Sequence, residues 1–395
     1  MPANKTKKNC EESPLMIALL TLSVAVATGR IEHVEVTSDG TPTHNNGPPD
    51  AAAILAMRGA ELGAAVAKWA TEELDDKALM FACVSMLGSV HGTQELDAFV
   101  DAADGEALPA IIATLQSQTC DEQGEDVLTN VVQGALGALG TLATGGVRGT
   151  EWKESSAGLS RCTWLAKLGA LNATVFAMGA AGFSVDTCSM AWQIQQAGLH
   201  VISSVCLGHD GKEGLGLPGK ASKAEAVAGM PSEANFRREA AADAGAIEVI
   251  ISVLGALRDC DKCGLKKKDA RALLDVALRA LQRVLLGHDA AGSKRRARAA
   301  AGHAIPAMVG ALDKVFTSDL MEQVISTNFI LMEQDDPLGN GKANPALDQE
   351  WQSEIAKRPS LGAKMQEVMM AKYMADPAFV RKAHQEAGFD MPEGL

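Results

Sequence analysis

Arg237–Asp289 is the stretch that decides the fold. It opens with Arg237-Arg238-Glu239-Ala240-Ala241-Ala242-Asp243-Ala244, a short run of good helix formers. Gly245 interrupts that run. Ala246-Ile247-Glu248-Val249-Ile250-Ile251-Ser252-Val253-Leu254 then begins a second helix with an apolar face at helical spacing. After a Cys/Lys-rich loop comes a third helical run, Leu273–Leu286, closed by Gly287-His288-Asp289. A short helix, a turn glycine and two longer helices make one supersecondary unit. Such a unit cannot bury its apolar faces alone and calls for neighbours of the same kind.

Those neighbours are present along the chain. Four segments superpose: Glu106-Ala-Leu-Pro-Ala-Ile-Ile-Ala-Thr-Leu115, Gly169-Ala-Leu-Asn-Ala-Thr-Val-Phe-Ala-Met178, Gly245-Ala-Ile-Glu-Val-Ile-Ile-Ser-Val-Leu254 and His303-Ala-Ile-Pro-Ala-Met-Val-Gly-Ala-Leu312. Each has Ala second and Leu or Ile third. Pro109 and Pro306 fall where the first helical turn has no N–H to lose. A second recurring element follows: Met86-Leu-Gly-Ser-Val-His91, Ala138-Leu-Gly-Thr-Leu-Ala143, Val201-Ile-Ser-Ser-Val-Cys206 and Ala280-Leu-Gln-Arg-Val-Leu285. Gly208-His209-Asp210 and Gly287-His288-Asp289 are one tripeptide 79 residues apart, and glycine there suits a helix end that needs positive φ. The first segments are spaced by 63, 76 and 58 residues. Helical solenoid repeats run to about 40–47 residues, so these copies carry insertions.

The expected fold class is all-α, an α-solenoid of about five degenerate repeats over 14–333 with a C-terminal helical extension. The repeats fall at 14–92, 93–146, 147–210, 235–289 and 290–333, and 211–234 is a Gly/Lys/Pro-rich insertion loop. Residues 1–13 read as a disordered N-terminus, 334–349 as a linker and 350–395 as the extension. The apolar run 14–27 is too short to span a bilayer as a helix. Its expected role is a capping solenoid helix, and a signal peptide is the alternative reading. In the extension, Leu361, Met365, Val368, Met369 and Tyr373 form one helical stripe, expected to dock on the protein's own core.

Composition narrows the function classes. Aromatics are only 4% of the 395 residues, so aliphatic side chains must carry the core, as in close-packed helices. Net charge is −13, which argues against a general nucleic-acid binder, because phosphate contacts need a concentrated positive field. The charge is uneven. Between Ala78 and Val147 there are nine acids and no Lys or Arg, whereas Lys266-Lys267-Lys268 and Lys294-Arg295-Arg296-Ala297-Arg298 gather positive charge. Such runs read first as solvated faces, and second as partner-selecting or nuclear-import elements. The expected localisation is therefore cytoplasmic, with the nucleus as the second possibility. The eight cysteines are scattered, and Cys83, Cys188 and Cys206 read as small buried hydrophobes in a reducing compartment. Cys260-Asp261-Lys262-Cys263 supplies half a zinc site at most and reads as a plain loop. No nucleophile elbow, P-loop or His-Glu-x-x-His motif occurs, and the eight histidines are spread singly. No cofactor, no metal and no catalysis are expected.

On these motifs the chain resembles the armadillo-repeat family, most clearly over 237–289 and 294–333. The resemblance implies a right-handed superhelix whose third helices line a long concave groove for a peptide or partner helix. Peptide-binding members carry an asparagine late in the third helix. The matching positions here are Ser89, Thr141, Ser204 and Arg283, so the asparagine ladder is absent, and nuclear-import-receptor function is not expected. Arg279 and Arg283, one turn apart, give the groove a positive part suited to an acidic segment. The expected function is a non-catalytic protein-protein interaction scaffold with Ser89, Thr141, Ser204, Arg279 and Arg283 on its groove. The expected partner is a protein or peptide, with no nucleic acid and no membrane span. Two alternatives stand beside it: a regulatory or chaperone-like adaptor docking through the Met-rich C-terminal helices, and an enzyme with an unrecognised site near Cys260–Cys263.

Overall fold

Gly245 has φ 92° and Gly169 has φ 85°, the left-handed conformation that a Cβ disfavours and glycine adopts freely. His303 takes the same conformation at φ 62°. These residues open three of the four recurring segments, so the same sharp turn joins a short first helix to a second helix at each. The structure is a computed structural model that describes residues 35–36, 42–43, 107–117, 125–144, 156–183, 188–207, 233–262, 264–287, 290–332 and 344–375.

Among the described residues the protein is all-α apart from one antiparallel pair of two-residue strands, β1 (Glu35–Val36) and β2 (Pro42–Thr43), with Glu35 opposite Thr43. The helices run in triplets. Helices α1 (Ala107–Ser117) and α2 (Glu125–Thr144) are the second and third members of the earliest described set. The next triplet is α3 (Ser156–Lys167), α4 (Ala170–Ala181) and α5 (Cys188–Val205). After it come α6 (Glu233–Asp243), α7 (Ala246–Leu257) and α8 (Lys267–Leu285), then α9 (Ala290–Ala301), α10 (Ala304–Val315) and α11 (Ser318–Met332).

Like packs on like. The third helices α2, α5, α8 and α11 contact one another in sequence order, the second helices α1, α4, α7 and α10 do the same, and so do the first helices α3, α6 and α9. A single apolar core runs through all of them from Leu108 to Met365. Helix α8 shows why a third helix needs neighbours on several sides: Leu273, Leu274, Leu278, Leu281, Val284 and Leu285 are all fully buried. Each contributes about 1.5–3 kcal/mol by leaving water. Gly287, at φ 125°, ends the exit from α8, and its carbonyl would lie 2.1 Å from a Cβ on Gly292 of α9. That close approach lets α9 start directly beside the end of α8.

Three boundaries differ from the sequence expectation. Helix α6 begins at Glu233, inside the expected insertion 211–234. Helix α8 begins at Lys267 rather than Leu273, because its first turn is solvent-exposed and polar. Helix α12 (Pro345–Ala356) starts inside the expected linker 334–349. Asn344 is its N-cap, accepting from Ala346 N–H at 3.1 Å, and Pro345 holds the first position. Helix α13 (Pro359–Ala375) follows. Leu361 and Met365 are buried and Val368 packs against the core, so this part of the expected stripe docks on the protein itself, whereas Met369 stays exposed. Lys364 lies 5.8 Å from the centroid of the Phe316 ring beside it. Residues 1–13, the apolar run 14–27, residues 211–232 of the expected insertion 211–234, Cys83, Cys263 and the end of the extension lie outside the described residues.

Candidate functional site

Because the third helices lie side by side, their outward residues share one face. On α2 that face carries Gly137, Thr141 and Thr144. On α5 it carries Gln193 and His200, on α8 Arg271, Asp275, Arg279 and Arg283, and on α11 Glu322, Gln323 and Phe329. Polar bonds cross between the helices. Arg283 donates to the carbonyl and the hydroxyl of Ser203 on α5, both at 2.8 Å. Gln282 donates to the Thr327 hydroxyl on α11 at 2.9 Å, and the Gln323 amide donates to Asp275. Arg279 pairs with Asp275 at 2.9 Å, four residues earlier on the same helix, and stays 45% exposed. An exposed pair of this kind adds about 0.3–0.5 kcal/mol to the fold, so Arg279 can be changed without harm to the structure.

The sequence-derived site residues therefore separate. Ser89 lies outside the described residues. Thr141 and Arg279 are on the shared face. Ser204 lies on the same helical stripe as His200 but is buried, so it offers no exposed side chain to a groove. Arg283 is half-buried and ties α8 to α5. The sequence reading stepped back only from the end of each third helix. One to three turns earlier on the same helical phase it would have met Gln193 and His200.

A second set of residues carries the joints between triplets. Arg161, Arg237 and Arg295 each stand eight residues before the residue that turns into the second helix, namely Gly169, Gly245 and His303. All three are buried. Arg161 Nε donates to the Leu142 carbonyl at 3.2 Å, at the end of α2. Arg237 donates to the carbonyls of Val205 at 2.7 Å and Leu207 at 2.6 Å, at the end of α5, and to the Thr163 hydroxyl on α3 at 2.8 Å. Arg295 donates to Leu286 O at 2.6 Å and Arg296 to Gly287 O at 2.5 Å, at the end of α8. The last carbonyls of a helix have no partner within it and form the negative end of its dipole, so a guanidinium is the fitting donor. Hydrogen bonds to charged groups are worth about 1.5–3 kcal/mol each.

This corrects the reading of Lys294–Arg298 as a solvated charge run. Arg295 and Arg296 are buried at the end of α8. Arg298 donates to the Ala242 carbonyl at 2.8 Å and pairs with Glu248. Lys266, Lys267 and Lys268 are exposed, as expected.

Two thiols sit at the same joints. Cys162 donates to the carbonyls of Ala143 and Ser204, and Cys206 to that of Arg237. Burial pushes the Cys162 thiol up to about 11 and the Cys206 thiol up to about 12, against the opposing pull of nearby arginines. Both thiols therefore stay protonated and unreactive at neutral pH. Cys260 is buried as well, and its thiol is raised by the same cause. Among the described residues no three His, Cys, Asp or Glu side chains gather to hold a metal ion. Among the same residues no single helix is long and apolar enough to cross a membrane.

No family model and no curated protein matches the chain. Among solved structures, an engineered protein is similar at a TM-score of 0.42 and 14% identity, over 81% of this chain and 99% of its own. A likeness at that level carries no argument about fold or function.

Proposed function

We propose that the chain is an armadillo-type α-solenoid acting as a non-catalytic scaffold, whose row of third helices holds an extended, acidic segment of a partner protein. The observation that carries this reading is the stacking of α2, α5, α8 and α11 into one outward face, with the exposed cation Arg279 on it. A repeated unit whose apolar sides are all buried leaves that face for recognition. Arg271 and Arg283 add positive charge beside Arg279, and Asp275 and Glu322 offset two units of it, which leaves the face positive by one. A carboxylate-bearing peptide is the complementary ligand, because guanidinium groups bind carboxylates through charge-assisted hydrogen bonds. The protein works in the cytoplasm or nucleus, without nucleic acid and without a membrane span.

The test uses Arg279→Glu, since Arg283 also supports the fold. Binding of a labelled polyglutamate peptide is followed by fluorescence anisotropy at low and raised salt. The wild type is expected to bind in a salt-dependent way and the variant about tenfold more weakly or worse, with an unchanged helical circular dichroism spectrum. Equal binding by both proteins removes the face from consideration. A second reading, docking through the C-terminal helices, is favoured by Met369 and Met370, which are 57% and 52% exposed on α13.

A further inference from the structure

We propose that the buried arginine of each described first helix is a clamp that sets the joint between successive triplets, and that the Arg237 joint opens as a local unit when its clamp is removed. Three observations carry the proposal together. The first is register: Arg161, Arg237 and Arg295 occupy one position relative to the turn that follows. The second is geometry: each guanidinium reaches the closing carbonyls of the third helix before it, at Leu142, at Val205 and Leu207, and at Leu286. The third is burial, with all three side chains out of solvent.

The Arg237 joint differs from the other two in what it closes. Its acceptors Val205 and Leu207 and its donor stand on either side of the 208–232 stretch of sequence, so the chain gives α5 and α6 no short covalent link. Bringing such distant ends together costs loop-closure entropy, which contacts at the base must offset. Arg237 supplies them as a fork. Nε holds the Val205 carbonyl at the end of α5, Nη2 holds the Leu207 carbonyl just beyond it, and Nη1 holds Thr163 of α3, which also donates to Glu233 of α6 at 3.1 Å. One side chain therefore joins the third helix of one triplet, its first helix and the first helix of the next. A lysine carries the charge but not the planar fork, and cannot span these acceptors together.

The joint contains its own reporter. Cys206 lies between the two carbonyls that Arg237 holds, and it is fully buried. Cys260, at the far end of α7, is buried away from this joint and serves as the internal control. The sign of the readout separates opening from a direct electrostatic effect. The Arg237 charge favours the Cys206 thiolate. Removing that charge from a joint that stays shut can only slow alkylation. Faster alkylation requires exposure.

The experiment is N-ethylmaleimide labelling of the full chain under native conditions, resolved by peptide mass spectrometry. In Arg237→Met, Cys206 is expected to react about tenfold faster or more than in the wild type, while Cys260 stays within about twofold. Arg237→Lys is expected to fall between the two. In Arg161→Met the same acceleration is expected at Cys162. The proposal is overturned if Cys206 keeps its wild-type rate in Arg237→Met. It is also overturned if Cys206 and Cys260 accelerate together, because the arginine then supports the whole array and not a joint.

Discussion

The joint between α5 and α6 and the seat of α13 on the array are both contacts between elements far apart in sequence, and they are built from opposite materials. At the joint a buried guanidinium directs three hydrogen bonds to fixed acceptors. At the seat, Leu361 and Met365 fill an apolar surface, and Lys364 lies over Phe316 at the edge. The first contact is directional and fixes an angle. The second is non-directional and fixes only that something apolar covers the end of the stack. Repetition needs the first kind, because an angular error would accumulate from triplet to triplet. The end of the array needs only the second.

Leu361→Ala tests the second contact with the largest effect expected here. It removes a fully buried side chain and should cost about 2–4 kcal/mol. If the seat is only a cover, limited proteolysis should release α12 and α13 while the helical signal of the remaining triplets survives. Loss of the whole helical signal in one transition would instead make the pair part of the common core.

His303→Gly tests the turn that all three joints share. Histidine at φ 62° sits where Gly169 and Gly245 sit, and pays a steric cost that glycine avoids. The expected gain is about 0.5–1 kcal/mol, reduced by the extra freedom glycine gives the unfolded chain. It should appear as a higher melting temperature, and a lower one would show that the imidazole itself holds the turn.

The smallest effect concerns Glu354, whose carboxylate accepts from Lys357 at 2.5 Å and Arg358 at 2.7 Å near the end of α12. The Lys357 hydrogen bond is the main cause that holds its pKa below the 4.5 of an ordinary glutamate; burial is the next largest effect and opposes it, and the Arg358 hydrogen bond and the two positive charges lower it further. A depressed carboxyl pKa contributes stability that is complete above the unfolded value and is lost as pH falls through the folded one. Acid titration of thermal stability should therefore show a loss below about pH 4.5, of under about 1 kcal/mol, that Glu354→Gln lacks. A loss of the same size in Glu354→Gln would assign it to other carboxylates.

The helices were largely legible in the chain. The segments at Gly169, Gly245 and His303 each open a second helix, and Pro109 and Pro306 lie in first turns. Glycine turns and helical periodicity act within a few residues, so a linear reading finds them. The first turn of α8 was missed because Lys267, Lys268 and Asp269 are polar and add nothing to an apolar pattern. Asn344-Pro345 carried a readable helix start, but the Gly/Asn-rich stretch before it drew the segment into a linker.

The candidate face was legible only in part. Arg279 and Thr141 lie on it, whereas Ser204 is buried and Arg283 ties two helices together. The run Lys294–Arg298 shows the reason most clearly. Within the sequence, five neighbouring residues with four positive charges read as a surface. Arg295 and Arg296 are buried because the closing carbonyls of α8 arrive beside them, and a carbonyl has no letter of its own in a sequence. Helix, turn and repeat follow from forces between residues close along the chain. The use of each cation depends on which backbone ends the stacking brings within about 3 Å of it, and that is set by the assembled array.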